Sequence, residues 1–196
     1  MTPVEWSIHP LSERTLPGAQ SVMRRSIAED FGDAYDPRIH ADVDDPMTHY
    51  APGNGPFLLV VTDDGTGEVL ATGGIRSGRL KPGLTPQHVV DRYEDGRHGQ
   101  LVRVYVRKEA RRGGIARALV RAVLDRADQE GHYEAIALHT YRHSPGAIAF
   151  WESFGARLVH DDTQGASGAV FYDLPRSPHG HPHRTGETGE HHVQAS

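Results

Sequence analysis

The stretch that most constrains this chain runs from Leu101 to Ala127. Residues 101–106, Leu-Val-Arg-Val-Tyr-Val, are dense in β-branched side chains and read as a strand. A short basic turn carrying Gly113 and Gly114 follows at once. Beyond it the sequence predicts an amphipathic helix over 114–130, with Ile115, Leu119, Val123 and Ala127 along one stripe and Gly131 as its stop. The first turn of such a helix has N–H groups without intrahelical partners and the positive end of the helix dipole. Two glycines admit a close backbone approach, Ala116 is small enough not to obstruct, and phosphate is the expected guest. Arg103, Arg107, Lys108, Arg111, Arg112 and Arg117 crowd this window against Glu109 alone. They read either as a site for a small polyanion or as a solvated helix face.

The rest of the chain alternates in the same manner. Strands are predicted over 4–9, 57–62, 69–75, 135–139, 157–160 and 169–174, the second and third joined by the turn sequence Asp63-Asp64-Gly65-Thr66-Gly67. A helix over 14–30 carries Leu16, Val22, Met23 and Ile27 on one side. Residues 31–54 are acidic and interrupted by Pro37, Pro46 and Pro52, with one short helix expected near 38–43 and loop elsewhere. Thr85-Pro86 predicts an N-cap and first-turn proline for a helix to about Tyr93, and Ser144-Pro145 the start of another that runs to Phe154 before Gly155. This order implies an α/β sandwich around a central sheet, as a single domain over 3–175.

Composition narrows the function. The 196 residues contain no cysteine, which excludes a disulfide framework, thiol catalysis and cysteine-ligated zinc. A net charge of −5 argues against a nucleic-acid partner. No apolar run is long enough for a membrane span, and residues 1–10 have no signal-peptide core, so a soluble, cytoplasmic protein is expected. From 176 to 196 only Val193 and Ala195 are hydrophobic, which predicts a disordered tail. Its histidines, His179, His181, His183, His191 and His192, are able to bind a metal adventitiously, but no functional metal site is read.

Arg111-x-x-Gly114-x-Ala116, five residues past Val106, resembles the Arg/Gln-x-x-Gly-x-Gly/Ala acyl-CoA loop of the GNAT superfamily of N-acetyltransferases. Ala147-Ile-Ala-Phe-Trp-Glu-Ser-Phe-Gly155-Ala156 is similar to the family's second signature. The resemblance covers about residues 100–156 and implies a mixed, mostly antiparallel α/β (α+β) sheet flanked by helices. It implies an acetyl-CoA-dependent N-acetyltransferase that needs no metal, with a homodimer expected at the level of the family. In it the N–H groups of Arg111, Arg112, Gly113, Gly114, Ile115 and Ala116 hold the CoA diphosphate. The backbone of Val104, Tyr105 and Val106 pairs with pantetheine, an N–H there polarises the thioester, and the fourth and fifth strands splay to admit that arm.

Two positions depart from the family pattern. Gln100 stands where a glutamate base is often found, and Trp151 where a tyrosine often serves as acid; neither replacement does the same chemistry. Ser144 replaces a common asparagine near CoA, and reads either as a hydrogen-bonding partner of the carrier or as a helix N-cap. His139 and Tyr141, with His143 beside them, are the substitute catalytic candidates at the end of the fifth strand. Arg103 and Tyr105 alternate with Val102, Val104 and Val106 and are expected on one strand face, toward an acceptor cleft or partly in the core. Asp30, Asp33, Asp36, Asp42, Asp44 and Asp45 read as loop caps or as an attractor for a cationic amine. The leading expectation is acetyl transfer to a small-molecule amine. The alternatives are an acyl-CoA-binding module without turnover, and an enzyme acting on a protein lysine or N-terminus.

Overall fold

A computed structural model describes residues 5–30, 35–51, 53, 55–78, 80, 85–94, 96–144 and 146–174. The predicted tail, 176–196, lies outside these residues, as do Asp33 and Pro145. Seven strands form one sheet: β1 (Trp6–Pro10), β2 (Phe57–Asp63), β3 (Val69–Ser77), β4 (His98–Val106), β5 (Ala135–Tyr141), β6 (Arg157–Asp161) and β7 (Ala169–Leu174). Their order is β1-β2-β3-β4-β5-β7-β6, and every neighbouring pair is antiparallel except β4 with β5.

Both faces of the sheet are covered, which explains why β2 is buried almost throughout rather than alternately. Phe57, Leu59 and Val61 face α5 (Ile115–Glu130), whose stripe of Ile115, Leu119, Val123 and Ala127 is buried as its spacing predicts. Leu58 and Val60 face α1 (Leu16–Asp30), through Ala19, Val22, Met23 and Ile27. On the α1 face, α4 (Gln87–Arg92) packs Val89, and Tyr93 just beyond it, against Ala137, Ala169 and Phe171. On the α5 face, α6 (Ala147–Glu152) adds Trp151. Residues 35–51 hold two short helices, α2 (Ala41–Asp44) and α3 (Pro46–His49), not the single one expected; Asp45 caps α3 by accepting from the Thr48 amide.

Local chemistry departs from the sequence expectations at three points. Pro86, not Thr85, is the N-cap of α4: its carbonyl accepts from the amides of Val89 and Val90. The N-cap of α6 is Gly146 at φ 75°, so Ser144 lies two residues too early to cap, and its own carbonyl closes a turn to Ala147. The alternation expected along β4 breaks at a bulge, where Gly74 pairs with Val102 but Thr72 with Tyr105. Arg103, at φ 56°, absorbs the extra residue, and the Thr72 hydroxyl donates to its carbonyl at 2.8 Å. Val102 and Tyr105 therefore pack toward α1, while Val104 and Val106 pack toward α5.

The bulge is tied to the helical layer by charge. Arg103 donates to both oxygens of Asp42 on α2, at 2.8 and 2.5 Å, and the Tyr50 hydroxyl donates to Asp42 at 2.6 Å. Both charged side chains are at most 10% exposed. Burial alone would raise the Asp42 carboxyl, but the Arg103 guanidinium and the Tyr50 hydroxyl outweigh it and hold the pKa down to about 2. The other described acidic residues of this region cap or pair: Asp36 with Arg38, Asp44 with Arg24, and Asp45 with α3.

Removing Asp42 strands a buried guanidinium, so Asp42→Ala is expected to cost about 3–5 kcal/mol in urea unfolding. Asp44→Ala, which removes an exposed pair, is expected to cost under about 1 kcal/mol. Equal losses would contradict the buried-pair assignment. Because the carboxyl is depressed in the folded state, its contribution is present above about pH 4 and fades as pH falls toward 2.

Candidate functional site

The ladder between β4 and β5 lasts three residues, from His98 with Ala135 to Gln100 with Ala137, and then the strands part. From Leu101 onward β4 bonds only to β3, so its backbone groups on the β5 side have no strand to pair with. A cleft of about 270 Å³ occupies the gap, lined by Val104 and Tyr105 on one side, Leu138 to Tyr141 on the other, and Ser144, Phe150 and Trp151 below. The Ser144 hydroxyl is buried against this cleft with no hydrogen-bond partner among the described residues. An extended polar chain laid along β4 supplies what both features lack.

At the end of β4 the backbone turns through a 3-10 segment (Lys108–Ala110) into α5. Arg111 donates from Nε to the carbonyl of Val106 at 2.9 Å, which anchors the turn to the strand. Arg112 at φ 68° and Gly114 at φ 79° both adopt the left-handed conformation, and a Cβ built on Gly114 meets nothing within 4 Å. The first amide of α5 with an intrahelical acceptor is that of Ala118, bonded to Gly114; no described carbonyl accepts from Gly113, Gly114, Ile115, Ala116 or Arg117. Ile115 buries its side chain in the core, leaving only its N–H to the site. An open turn with unpaired amides, a helix dipole and the exposed Arg112 suits a diphosphate.

Across the sheet, on the α1 face, lies a second cleft of about 740 Å³. Its walls come from Ile39 and His40 before α2, Leu80 and Thr85 before α4, and Ala166 and Ser167 between β6 and β7. Arg76, His139, Tyr141, Ile39 and His40 line both clefts, so the two spaces meet through the gap between β4 and β5. His139 and Tyr141 follow Ala137 in alternation and share its face. Tyr141 stacks on His143 at 5.2 Å and meets His139 edge-on at 6.1 Å.

Gln100, buried at the last β4–β5 pair, determines the state of His139. Arg76 donates from Nε to Gln100 Oε1 at 3.2 Å. An arginine only donates, so the amide oxygen must face Arg76 and the NH₂ must face His139, whose Nδ1 lies 3.0 Å away. Nδ1 is then the acceptor, and the neutral ring carries its proton on Nε2. The side chain is exposed to the clefts, but the protein packed closely around it desolvates the charged form, and with the Arg76 and Arg103 charges this pushes its pKa down to about 4.

The sequence-selected residues therefore fall into three groups. His139, Tyr141, Val104, Tyr105, Ser144 and Trp151 converge on the gap; Val106 and Arg111 join at the strand end; and Arg112, Gly113, Gly114, Ile115 and Ala116 form the turn beyond. His143 lines neither cleft but stacks on Tyr141. Arg76, His40 and Phe150 escape the sequence reading. A single charged residue near the end of the mostly buried β3 is the signal the sequence offers for Arg76. Among the described residues no three His, Asp or Glu side chains cluster as metal ligands, and no helix is long and apolar enough to cross a membrane.

The sequence pattern of the acetyltransferase (GNAT) family matches residues 23–156. Among solved structures, an acetyltransferase of the GNAT family from Staphylococcus aureus Mu50 superimposes with a TM-score of 0.66 at 16% identity, over 87% of this chain and 98% of that one. A GCN5-related N-acetyltransferase from Kribbella flavida gives 0.62 at 22% identity, over 87% and 97%. The ribosomal-protein-S18-alanine N-acetyltransferase of Escherichia coli gives 0.59 at 18% identity, over 88% and 95%. No curated protein matches in sequence. At these identities the likeness shows the fold.

The hydrogen-bond chain from Arg76 through Gln100 predicts that neutral His139 is protonated on Nε2, and the enclosing protein with the Arg76 and Arg103 charges predicts that it stays neutral down to about pH 5. Ring ¹⁵N and ¹³C shifts that titrate near 6.5 would contradict it. Gln100→Glu replaces the donor to Nδ1 by a carboxylate, so it is expected to move the ring proton to Nδ1 and raise the His139 pKa.

Proposed function

The chain belongs to the acetyltransferase (GNAT) family and is an acyltransferase, and from that premise we propose that it moves the acetyl group of acetyl-CoA to the primary amine of a small molecule. The observation that carries this reading is the junction of the two clefts. One runs along an unpaired strand edge, the other is walled on three sides, and they meet at His139 and Tyr141. A walled acceptor cleft of about 740 Å³ suits a compact amine better than a polypeptide segment lying across an open groove.

The residues divide the work as follows. The amides of Gly113 to Arg117, with Arg112, take the CoA diphosphate. The β4 edge holds the pantetheine arm as an added strand, and Ser144 gives that arm its buried hydroxyl. Trp151 and Phe150 form the apolar floor. An N–H of β4 facing the thioester oxygen stabilises the charge that develops there, about 10²–10³ in rate for one such donor. In the transfer the amine nitrogen bonds to the carbonyl carbon, the carbon–sulfur bond breaks, and the amine loses one proton while the thiolate gains one. We assign the proton for the thiolate to Tyr141, where the clefts meet. The amine's proton leaves to water in the wider cleft, because the lone pair of His139 is engaged by Gln100. His139 acts by presenting Nε2–H to the acceptor.

Calorimetry with CoA tests the carrier site. Gly114→Asp puts a carboxylate where the diphosphate is read to sit and an L-residue at φ 79°. It is expected to weaken CoA binding at least tenfold while costing about 1 kcal/mol of stability, a few degrees in Tm. Binding unchanged by this substitution would overturn the assignment. Thiol release from acetyl-CoA with a panel of small amines tests the transfer, and a panel-wide rate no higher than hydrolysis would rule out a small amine as the acceptor.

A further inference from the structure

The acceptor cleft has more positive charge than its own acids satisfy. Among the described residues, its lining carboxylates are Asp36 and Asp42. Asp36 is engaged by Arg38, through Nε at 3.1 Å and a terminal nitrogen at 2.8 Å. Asp42 is filled by Arg103 and the Tyr50 hydroxyl. Arg76 is the surplus. Its Nε is committed to Gln100, and a terminal nitrogen pairs loosely with Asp42 across 3.9 Å, a carboxylate that already bonds Arg103 through both oxygens, so two guanidinium groups share one acid. The side chain is 38% exposed on the wall of the cleft. The same Gln100 that orients Arg76 also fixes the neutral tautomer of His139, leaving Nε2–H as that ring's remaining polar group. Of the other imidazoles on the wall, His40 accepts the Asp36 amide on Nδ1, and His49 is exposed. One buried amide thus holds a cation on one end and a neutral donor on the other, both beside the point where the clefts meet.

We propose that the acceptor is a small amino acid, an amine bearing its own carboxylate, with that carboxylate gripped by the terminal N–H groups of Arg76 and by Nε2–H of His139. This rests on the small-amine reading above and specifies its substrate class. One surplus positive charge plus one neutral donor matches a singly charged, planar carboxylate; a phosphate dianion would leave charge unpaired. A simple alkylammonium entering past Arg76 meets the net charge that Asp42, shared with Arg103, does not cancel. An α-amino acid brings the offsetting charge within three bonds of its nitrogen.

The test is calorimetry on the full chain saturated with CoA, titrated with free α-amino acids and with the primary amide of each. A charge-assisted grip predicts that the best acid binds at least about tenfold more tightly than its amide. Arg76→Met is expected to bring that ratio to within threefold. Arg76→Lys, which keeps the charge without the fork, is expected to retain a preference of several-fold. Equal or weaker binding of the acids, absence of binding throughout both series, or a ratio unmoved in Arg76→Met each overturn the proposal. Thiol release with the same compounds separates the two readings. Selective binding of acids without release leaves carboxylate recognition standing and removes transfer to a small amine. Faster release with the amides does the reverse.

Discussion

Much of this protein's geometry depends on how one residue of β4 is held. Arg103 adopts a left-handed backbone, the ladder to β3 slips by one residue, and the strand beyond it is re-aimed. Such a conformation costs on the order of 1–3 kcal/mol and persists only where its surroundings over-determine it. Here they do so twice: Thr72 donates to the Arg103 carbonyl from within the sheet, and Asp42 takes its guanidinium from the helical layer. A charge pair this buried gains little net stability. It fixes position, tying α2, which walls the wider cleft, to the strand that edges the other cleft.

With β4 held in this way, the parting of β4 and β5 leaves a strand edge without a partner strand in the middle of a sheet. An unpaired edge is normally a liability at a protein's margin. Inside the fold, flanked by α5 and α6 on one side and α1 and α4 on the other, it is the edge on which the proposed carrier site rests. The opening also lets side chains from both faces meet. His139 and Tyr141 belong to the α1 face by their place on β5, yet they line the cleft where Ser144 and Trp151 stand.

Gln100 illustrates how a single exchange redistributes chemistry. The sequence alone suggests a lost base, since an amide does not take up a proton. In the structure the amide is bifunctional, accepting from Arg76 and donating to His139, which fixes the tautomer of the ring that the enclosing protein and two guanidinium groups keep neutral. The histidine that its place at the end of the fifth strand suggested as a base is thereby suited to donating a hydrogen bond rather than to accepting a proton.

What the sequence determined by itself is local in origin. The strand, turn and helix from 101 to 130, the stripe on α5, the glycine that opens it and the one that ends it all follow from periodicity and backbone freedom within a few residues. So do most strand positions and the family pattern they carry. The caps of α4 and α6 differ from the expectation because Pro86 and the left-handed Gly146 occupy the N-cap positions, and neither has a side chain able to accept from the first-turn amides. What only the tertiary structure decided joins distant residues: Asp42 with Arg103, Arg76 with Gln100 and His139, and the two clefts with each other. These pairings stand 24 to 61 positions apart in the chain. No periodicity marks them, because they depend on where a bulge rotates a strand and on how short a ladder β4 and β5 keep.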